Sequence, residues 1–244
     1  MSAIQTLDLT KKFKEKMAVN KLNLSIEKGE LYALLGVNGA GKTTTIRMLS
    51  CLISPTSGDA LLLGDSIVTN PNAVKEKINI SPQETAVARN LSVKENLELI
   101  AGIYGNDKKK SKEKANEMMG TFGLTEVAKN KAKTLSGGMQ RRLSIAMALI
   151  SNPEILFLDE PTLGLDVLAR RELWTAIEKL KGKITIILTT HYMEEAQALS
   201  DRIGIMANGE LIVDGTAEEL IAKTGAPTFE EAFITIVTGA EVQV

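Results

Sequence analysis

The chain has 244 residues, of which 44% are hydrophobic and 24% charged, with a formal net charge of −1. That is ordinary for a globular protein and long enough for one large α/β domain with a smaller inserted lobe. Near-neutrality removes any whole-chain attraction to nucleic acid or lipid headgroups, and the single cysteine, Cys51, excludes an internal disulfide or a Cys-rich zinc cluster. No apolar run reaches the ~18–20 residues of a spanning helix. Residues 1–13 lack the apolar core of a signal peptide. The expectation is a protein that serves any membrane from outside the bilayer.

In chain order, Ala3, Ile4, Leu7 and Leu9, then Leu22, Leu24 and Ile26, alternate in strand fashion up to a turn at 27–30. The apolar run 31–35 precedes a glycine-rich loop. A helical pattern follows over 42–52, with Ile46, Leu49 and Cys51 among its apolar positions. Cys51 reads as a small buried hydrophobe. Pro55, Ser57 and Gly58 mark a turn before strand signals at 60–63, 67–68 and 78–81.

From about 84 to 152 helical signals dominate, at 93–104, 111–122 and 140–151, which reads as a helical lobe inserted into the α/β core. The run Lys108–Lys110 lies between two of these helices and reads as a solvated loop. Beyond Pro153 the continuous apolar runs 155–158 and 184–188 look like parallel strands buried on both faces. Helical segments separate them, as a βαβ layout requires. Asn208-Gly209, between apolar runs 203–206 and 211–213, signals a hairpin. The segment from 217 onward reads as a tail of two short helices around Pro227.

The segment Gly36-Val37-Asn38-Gly39-Ala40-Gly41-Lys42-Thr43 fits the phosphate-loop pattern G-x-x-x-x-G-K-[ST], set between a strand and a helix. Its glycines let backbone N–H groups curl around an anion, and the helix N-terminus adds unpaired donors and the positive end of a dipole. Lys42 can reach the β- and γ-phosphates of a nucleotide. The Thr43 hydroxyl can ligate Mg²⁺, and Thr44 supplies another phosphate donor. The apolar strand 155–158 ends in Asp159 and Glu160, at the carboxyl edge where such sheets bind ligands. Asp159 is placed to hold Mg²⁺ through its water shell, and Glu160 to polarise an attacking water.

A third element, Leu135-Ser136-Gly137-Gly138-Met139-Gln140, resembles the LSGGQ signature of ABC ATPases, with Met139 in place of the usual Gln and Gln140 just after it. Ser136 is a good helix N-cap, and the exposed amides of Gly137 and Gly138 make a second anion site. The resemblance implies a P-loop NTPase (RecA-like) α/β core with an N-terminal antiparallel β lobe and an inserted α-helical subdomain. It implies an ATPase domain over 1–216, with the helical subdomain at about 84–152 and a helical tail at 217–244.

Position by position, the resemblance makes Gln83 the Q-loop glutamine touching Mg²⁺ or its water. Thr162-Leu163-Gly164-Leu165-Asp166 becomes the D-loop, with Asp166 at a dimer interface, and His191 the switch histidine on the γ-phosphate. Phe13 becomes the adenine-stacking aromatic, and Gly36, Asn38, Gly39, Ala40, Gly41, Lys42, Thr43 and Thr44 the phosphate cradle. Ser136, Gly137 and Gly138 would bind the γ-phosphate of ATP held by a second subunit, identical or homologous. The resemblance is strongest to single-domain ATPases that pair with separate export permeases. It implies ATP and Mg²⁺ as cofactors and a cytoplasmic protein held at the membrane by its permease, with no nucleic-acid partner and no insertion of its own. An importer subunit, or an ABC ATPase acting on nucleic acid or translation, is the alternative.

Overall fold

The computed structural model describes residues 2–239. The chain opens with strands β1 (Ser2–Phe13), β2 (Lys16–Leu22) and β3 (Ser25–Glu27), and continues into β4 (Leu31–Leu35). Helix α1 (Lys42–Leu49) leads to β5 (Ser57–Leu62) and β6 (Asp65–Ser66), and α2 (Pro71–Lys77) to β7 (Ile78–Ser81). Helices α3 (Val93–Ile103), α4 (Lys108–Thr121) and α5 (Gly137–Leu149) come next, followed by β8 (Ile155–Asp159), α6 (Val167–Glu178), β9 (Thr185–Thr190) and α7 (Met193–Leu199). The hairpin β10 (Arg202–Ala207) and β11 (Glu210–Gly215) precedes α8 (Ala217–Thr224) and α9 (Phe229–Thr238).

Two sheets result. The antiparallel one runs β2-β1-β5-β6, with β3 also on β1, and the other runs β11-β10-β4-β9-β8-β7. In the second sheet every pairing is parallel except β10–β11. This is the α/β architecture of a P-loop NTPase, with an antiparallel lobe beside the core and a helical insertion between β7 and β8.

The uninterrupted apolar runs of the central strands follow from their having two faces to bury. Leu31, Ala33 and Leu35 of β4, with Leu156 and Leu158 of β8, face a core built with α3 to α9. Tyr32, Leu34, Ile155 and Phe157 alternate with them and face the antiparallel sheet and α1. Period-two alternation between two cores reads in the sequence as a solid apolar strand. Asn208 and Gly209 both take positive φ, 52° and 84°, as a two-residue hairpin turn requires.

Four expectations need correction. Helix α1 ends at Leu49, and Cys51 turns with φ 56°, half-buried at the rim of the core. Residues 67–68 follow a two-residue strand at Asp65–Ser66 and are not themselves a strand. Lys108–Lys110 are solvated, but as the first turn of α4, because Asp107 caps that helix by accepting from Lys110 N at 2.8 Å. Helix α5 begins at Gly137, not 140, because Ser136 is its N-cap and the two glycines wind into the first turn. Among the described residues no helix is long and apolar enough to cross a membrane.

Phe157 is fully buried, at 0% exposure, between the two sheets. Phe157→Ala is expected to cost about 3–5 kcal/mol in urea unfolding, the transfer term plus a cavity that neighbouring strands cannot close. A loss below about 1 kcal/mol would mean that this layer is not packed as described.

Candidate functional site

Parallel pairing forces the strands to end at one edge. Leu35 pairs with Thr190, and Asp159 with Thr189, so the segments leaving β4, β8 and β9 emerge side by side. β7, parallel to β8, delivers Pro82 and Gln83 to the same edge. A cavity of about 420 Å³ opens there, lined by Phe13, residues 38–44, Gln83, Glu160 and His191, together with Lys16, Ala18 and Leu163.

The loop after β4 keeps its shape through close backbone approaches. A Cβ at Gly36 would lie 2.4 Å from Met206 O, and one at Gly41 2.5 Å from Ala18 O, at φ 107°. At Gly39, with φ 85°, a Cβ would meet nothing within 4 Å, so a side chain there would project into open space beside the cavity. Gly41 is the N-cap of α1 and offers no side-chain acceptor, which leaves first-turn amides available to an anion. The Lys42 ammonium is 5% exposed, donates to Gly36 O at 2.7 Å and lies 3.5 Å from Glu160 Oε1. Burial pulls its pKa down, while Glu160 and Asp159 pull it up.

At the end of β8, Asp159 Oδ1 accepts from Thr43 Oγ1 at 3.0 Å and from Thr189 Oγ1 at 2.6 Å. A hydroxyl and a carboxylate held together are hard oxygen donors that suit Mg²⁺. Glu160 follows with φ 47°, a left-handed conformation rare for a non-glycine residue, and one that turns its side chain away from the strand direction. Its N–H is fixed by Thr189 O at 3.1 Å and Thr189 Oγ1 at 3.0 Å. Glu160 Oε2 and His191 Nδ1 are 2.6 Å apart. Since a carboxylate only accepts, Nδ1 carries that proton and the far edge of the imidazole stays free.

Two predicted site segments, Ser136–Gly138 and Asp166, lie outside the cavity lining. Ser136 and Gly137 are exposed, and Ser136 Oγ accepts from Met139 N at 3.3 Å. Gly138 is buried against α6, where a Cβ would stand 2.8 Å from Ala169 Cβ. Asp166 is exposed and caps α6 by accepting from Ala169 N at 2.9 Å. The two segments therefore meet, next to Leu163, Val167 and Leu168, which are 42%, 65% and 74% exposed.

Arg141 escaped the sequence reading. It is 4% exposed, donating from Nε to Pro161 O at 2.9 Å, from Nη2 to Asp159 O at 2.7 Å, and from Nη1 to Pro82 O. It thus ties the Gln83 segment to the Asp159–Glu160 turn. Burial lowers its pKa to about 10, against the pull of Asp159, Glu195 and Glu160, and it stays charged at neutral pH. The available signal was spacing: Arg141, Ile145 and Ala148 fall on one helical stripe, an arginine among core residues.

Comparison with known proteins identifies the family. A family model described as ABC transporter matches residues 19–163. The probable multidrug ABC transporter ATP-binding protein YbhF of Escherichia coli (strain K12) is 39% identical over 97% of this chain, which spans only 42% of YbhF's length. The linearmycin resistance ATP-binding protein LnrL of Bacillus subtilis (strain 168) is 41% identical over 92% of this chain and 73% of its own. Among solved structures, a dimeric post-hydrolysis state of the ATP-binding cassette MJ0796 bound to ADP and Pi superposes with TM-score 0.78 at 27% identity. The match covers 87% of this chain and 98% of that one.

Arg141→Ala would leave the buried Pro161 and Asp159 carbonyls and the half-buried Pro82 carbonyl without this donor, and the expected loss in urea unfolding is about 3 kcal/mol or more. Arg141→Lys should recover less than half of it, since an ammonium is a point donor that cannot reach three directions at once. Loss within about 0.5 kcal/mol of wild type would remove Arg141 from this role.

Proposed function

The chain belongs to the ABC transporter family of ATP-binding proteins, and from that premise we propose that it binds and hydrolyses ATP to drive export through a separate membrane permease. The observation that carries this reading is the meeting of Lys42, Asp159, Glu160 and His191 at one glycine-lined cavity. The adenine would lie on Phe13, which is 47% exposed at the cavity rim, and the phosphates on the amides of residues 38–44. Thr43, Asp159 and Gln83 would hold Mg²⁺, which supplies charge neutralisation to the β- and γ-phosphates.

Lys42 would then exchange its carbonyl partners and Glu160 for phosphate oxygens. That exchange frees a Glu160 oxygen to take a proton from water as its oxygen attacks the γ-phosphorus. The bond from that phosphorus to the bridging oxygen breaks, and ADP leaves with the electron pair. His191 Nδ1 holds the Glu160 carboxylate in orientation, and its free edge faces the γ-phosphate. Catalysis here is placement and charge stabilisation more than covalent chemistry.

Two ATPase subunits, identical or homologous, would each present residues Ser136 to Gly138 to the ATP on the other. Support comes from the exposure of Ser136 and Gly137, their neighbouring apolar residues Val167 and Leu168, and the dimeric form of the MJ0796 cassette. The helical lobe at 84–152, joined to Asp159 through Arg141 and the Gln83 segment, would pass closure to the permease and hold the protein at the cytoplasmic face of the membrane. The export direction rests on the names of two relatives, a probable multidrug transporter protein for YbhF and a linearmycin resistance protein for LnrL.

Glu160→Gln should retain ATP and slow phosphate release by about 10²–10⁴-fold, accumulating a nucleotide-held dimer on gel filtration. Turnover at the wild-type rate would remove Glu160 as the base. Ser136→Arg should abolish dimer-dependent hydrolysis but leave nucleotide affinity of the monomer within about twofold, because its site lies outside the cavity. Weakened ATP binding by that monomer would overturn the trans assignment.

A further inference from the structure

Directly behind the catalytic turns lies a carboxyl that the mechanism above does not use. Glu195, on α7, is 0% exposed and has no salt-bridge partner among the described residues. Its Oε1 accepts from Trp174 Nε1 of α6 at 3.2 Å. The hydroxyls of Thr162 and Thr190 also lie against the carboxyl. Yet Glu195 Oε2 and Thr162 Oγ1 are both buried without a hydrogen bond of good geometry. Thr162 is itself 0% exposed.

One hydrogen bond between that carboxyl oxygen and that hydroxyl would satisfy both, and either group can carry its proton. A neutral acid accepts from the indole through one oxygen and donates to a threonine through the other. An ionised carboxylate at this position would stand near Glu160 with only neutral donors, the Trp174 indole and the Thr162 and Thr190 hydroxyls, and no ion-pair partner among the described residues, which is costly in a buried site. Burial, the largest effect, raises this carboxyl above its ordinary range against the hydrogen bonds of Thr190, Thr162 and Trp174, and the nearby Glu160 charge adds to the rise.

Its neighbours give this group its leverage. Thr162 belongs to the turn that follows Glu160, in which Leu163 N donates to Glu160 O at 3.2 Å and Leu165 N to Thr162 O at 3.1 Å. Thr190 immediately precedes His191, and its Oγ1 accepts from Tyr192 N at 3.0 Å. One carboxyl therefore lies against the two turns whose side chains, Glu160 and His191, meet at 2.6 Å. Trp174 adds α6, the helix that Asp166 caps.

The geometry points to Glu195 as a positioning residue that, as a neutral acid, sets the spacing of the Glu160 and His191 turns and couples it to α6. This rests on the ATPase reading for its kinetic consequence, but the proton itself can be observed without turnover.

Infrared difference spectra of wild type against Glu195→Gln at neutral pH should show one protonated carboxyl band that the variant lacks. Glu195→Gln reproduces the acceptor and the donor of the neutral acid, so its kcat should stay within about twofold of wild type. Glu195→Met keeps the volume but no hydrogen bond, and should lower kcat about tenfold or more while the KM for ATP is unchanged, the effect of a displaced reacting group. Should Glu195→Met not fold, Trp174→Phe removes the indole donor alone and should lower kcat in the same direction.

No protonated band, a Gln variant as slow as the Met variant, Met or Phe variants with wild-type kcat, or a parallel rise in KM each overturns the proposal. A wild-type protein that releases no phosphate would instead defeat the ATPase reading, and the infrared band would still decide the proton.

Discussion

The parallel hydrogen bonding of β4, β9 and β8 governs nearly everything at the site. Because Leu35 is level with Thr190, and Asp159 with Thr189, three chain exits are fixed within two strand spacings before any side chain is considered. The register is secured by burial on both faces: a one-residue slip of β8 would exchange Leu156 and Leu158 with Ile155 and Phe157 between two differently shaped cores. Stability of the sheet and accuracy of the site are thus one constraint. The strained φ of Glu160 is tolerated because Thr189, from the neighbouring strand, holds its N–H through both backbone and side chain.

The same edge concentrates charge in a place where water is scarce. Lys42 and Arg141 sit among Asp159, Glu160 and Glu195, all buried. Arg141 spends its donors on carbonyls, so its charge acts on the carboxylates through space without occupying their oxygens. Lys42 touches Glu160 at 3.5 Å, a distance easily surrendered to a more highly charged oxygen. A neutral Glu195 removes the one carboxylate that the two cations could not also balance.

Much of this was legible in the sequence, and what was missed has common causes. The phosphate loop, the β8 acids and the hairpin at Asn208-Gly209 depend on local chemistry, in which residue type dictates backbone shape, and all three were read from short stretches. Arg141, Thr189 and Glu195 act across long sequence separations, as with the 30 residues from Asp159 to Thr189, and pattern alone carries no such pairing. Boundaries failed where a cap decided them. Ser136 and Asp107 each start a helix earlier than the apolar period suggested, and Cys51 follows a helix that had already stopped. The period reports the buried face of a helix, whereas the first turn is decided by an unpaired N–H finding an acceptor.

That difference between caps also separates the two anion cradles. At α1 the N-cap is Gly41, which brings no acceptor, so the leading amides of the phosphate loop are held ready for a ligand. At α5 the N-cap is Ser136, whose hydroxyl already accepts from Met139 N at 3.3 Å. A phosphate arriving there must displace or share that bond, worth about 1 kcal/mol in a typical helix cap. On the proposed reading the first cradle binds nucleotide in the single chain, while the second engages only when a phosphate is presented already fixed by another subunit. The asymmetry comes from one side chain, glycine against serine, placed before otherwise similar helix starts, and it makes closure conditional on nucleotide being bound first.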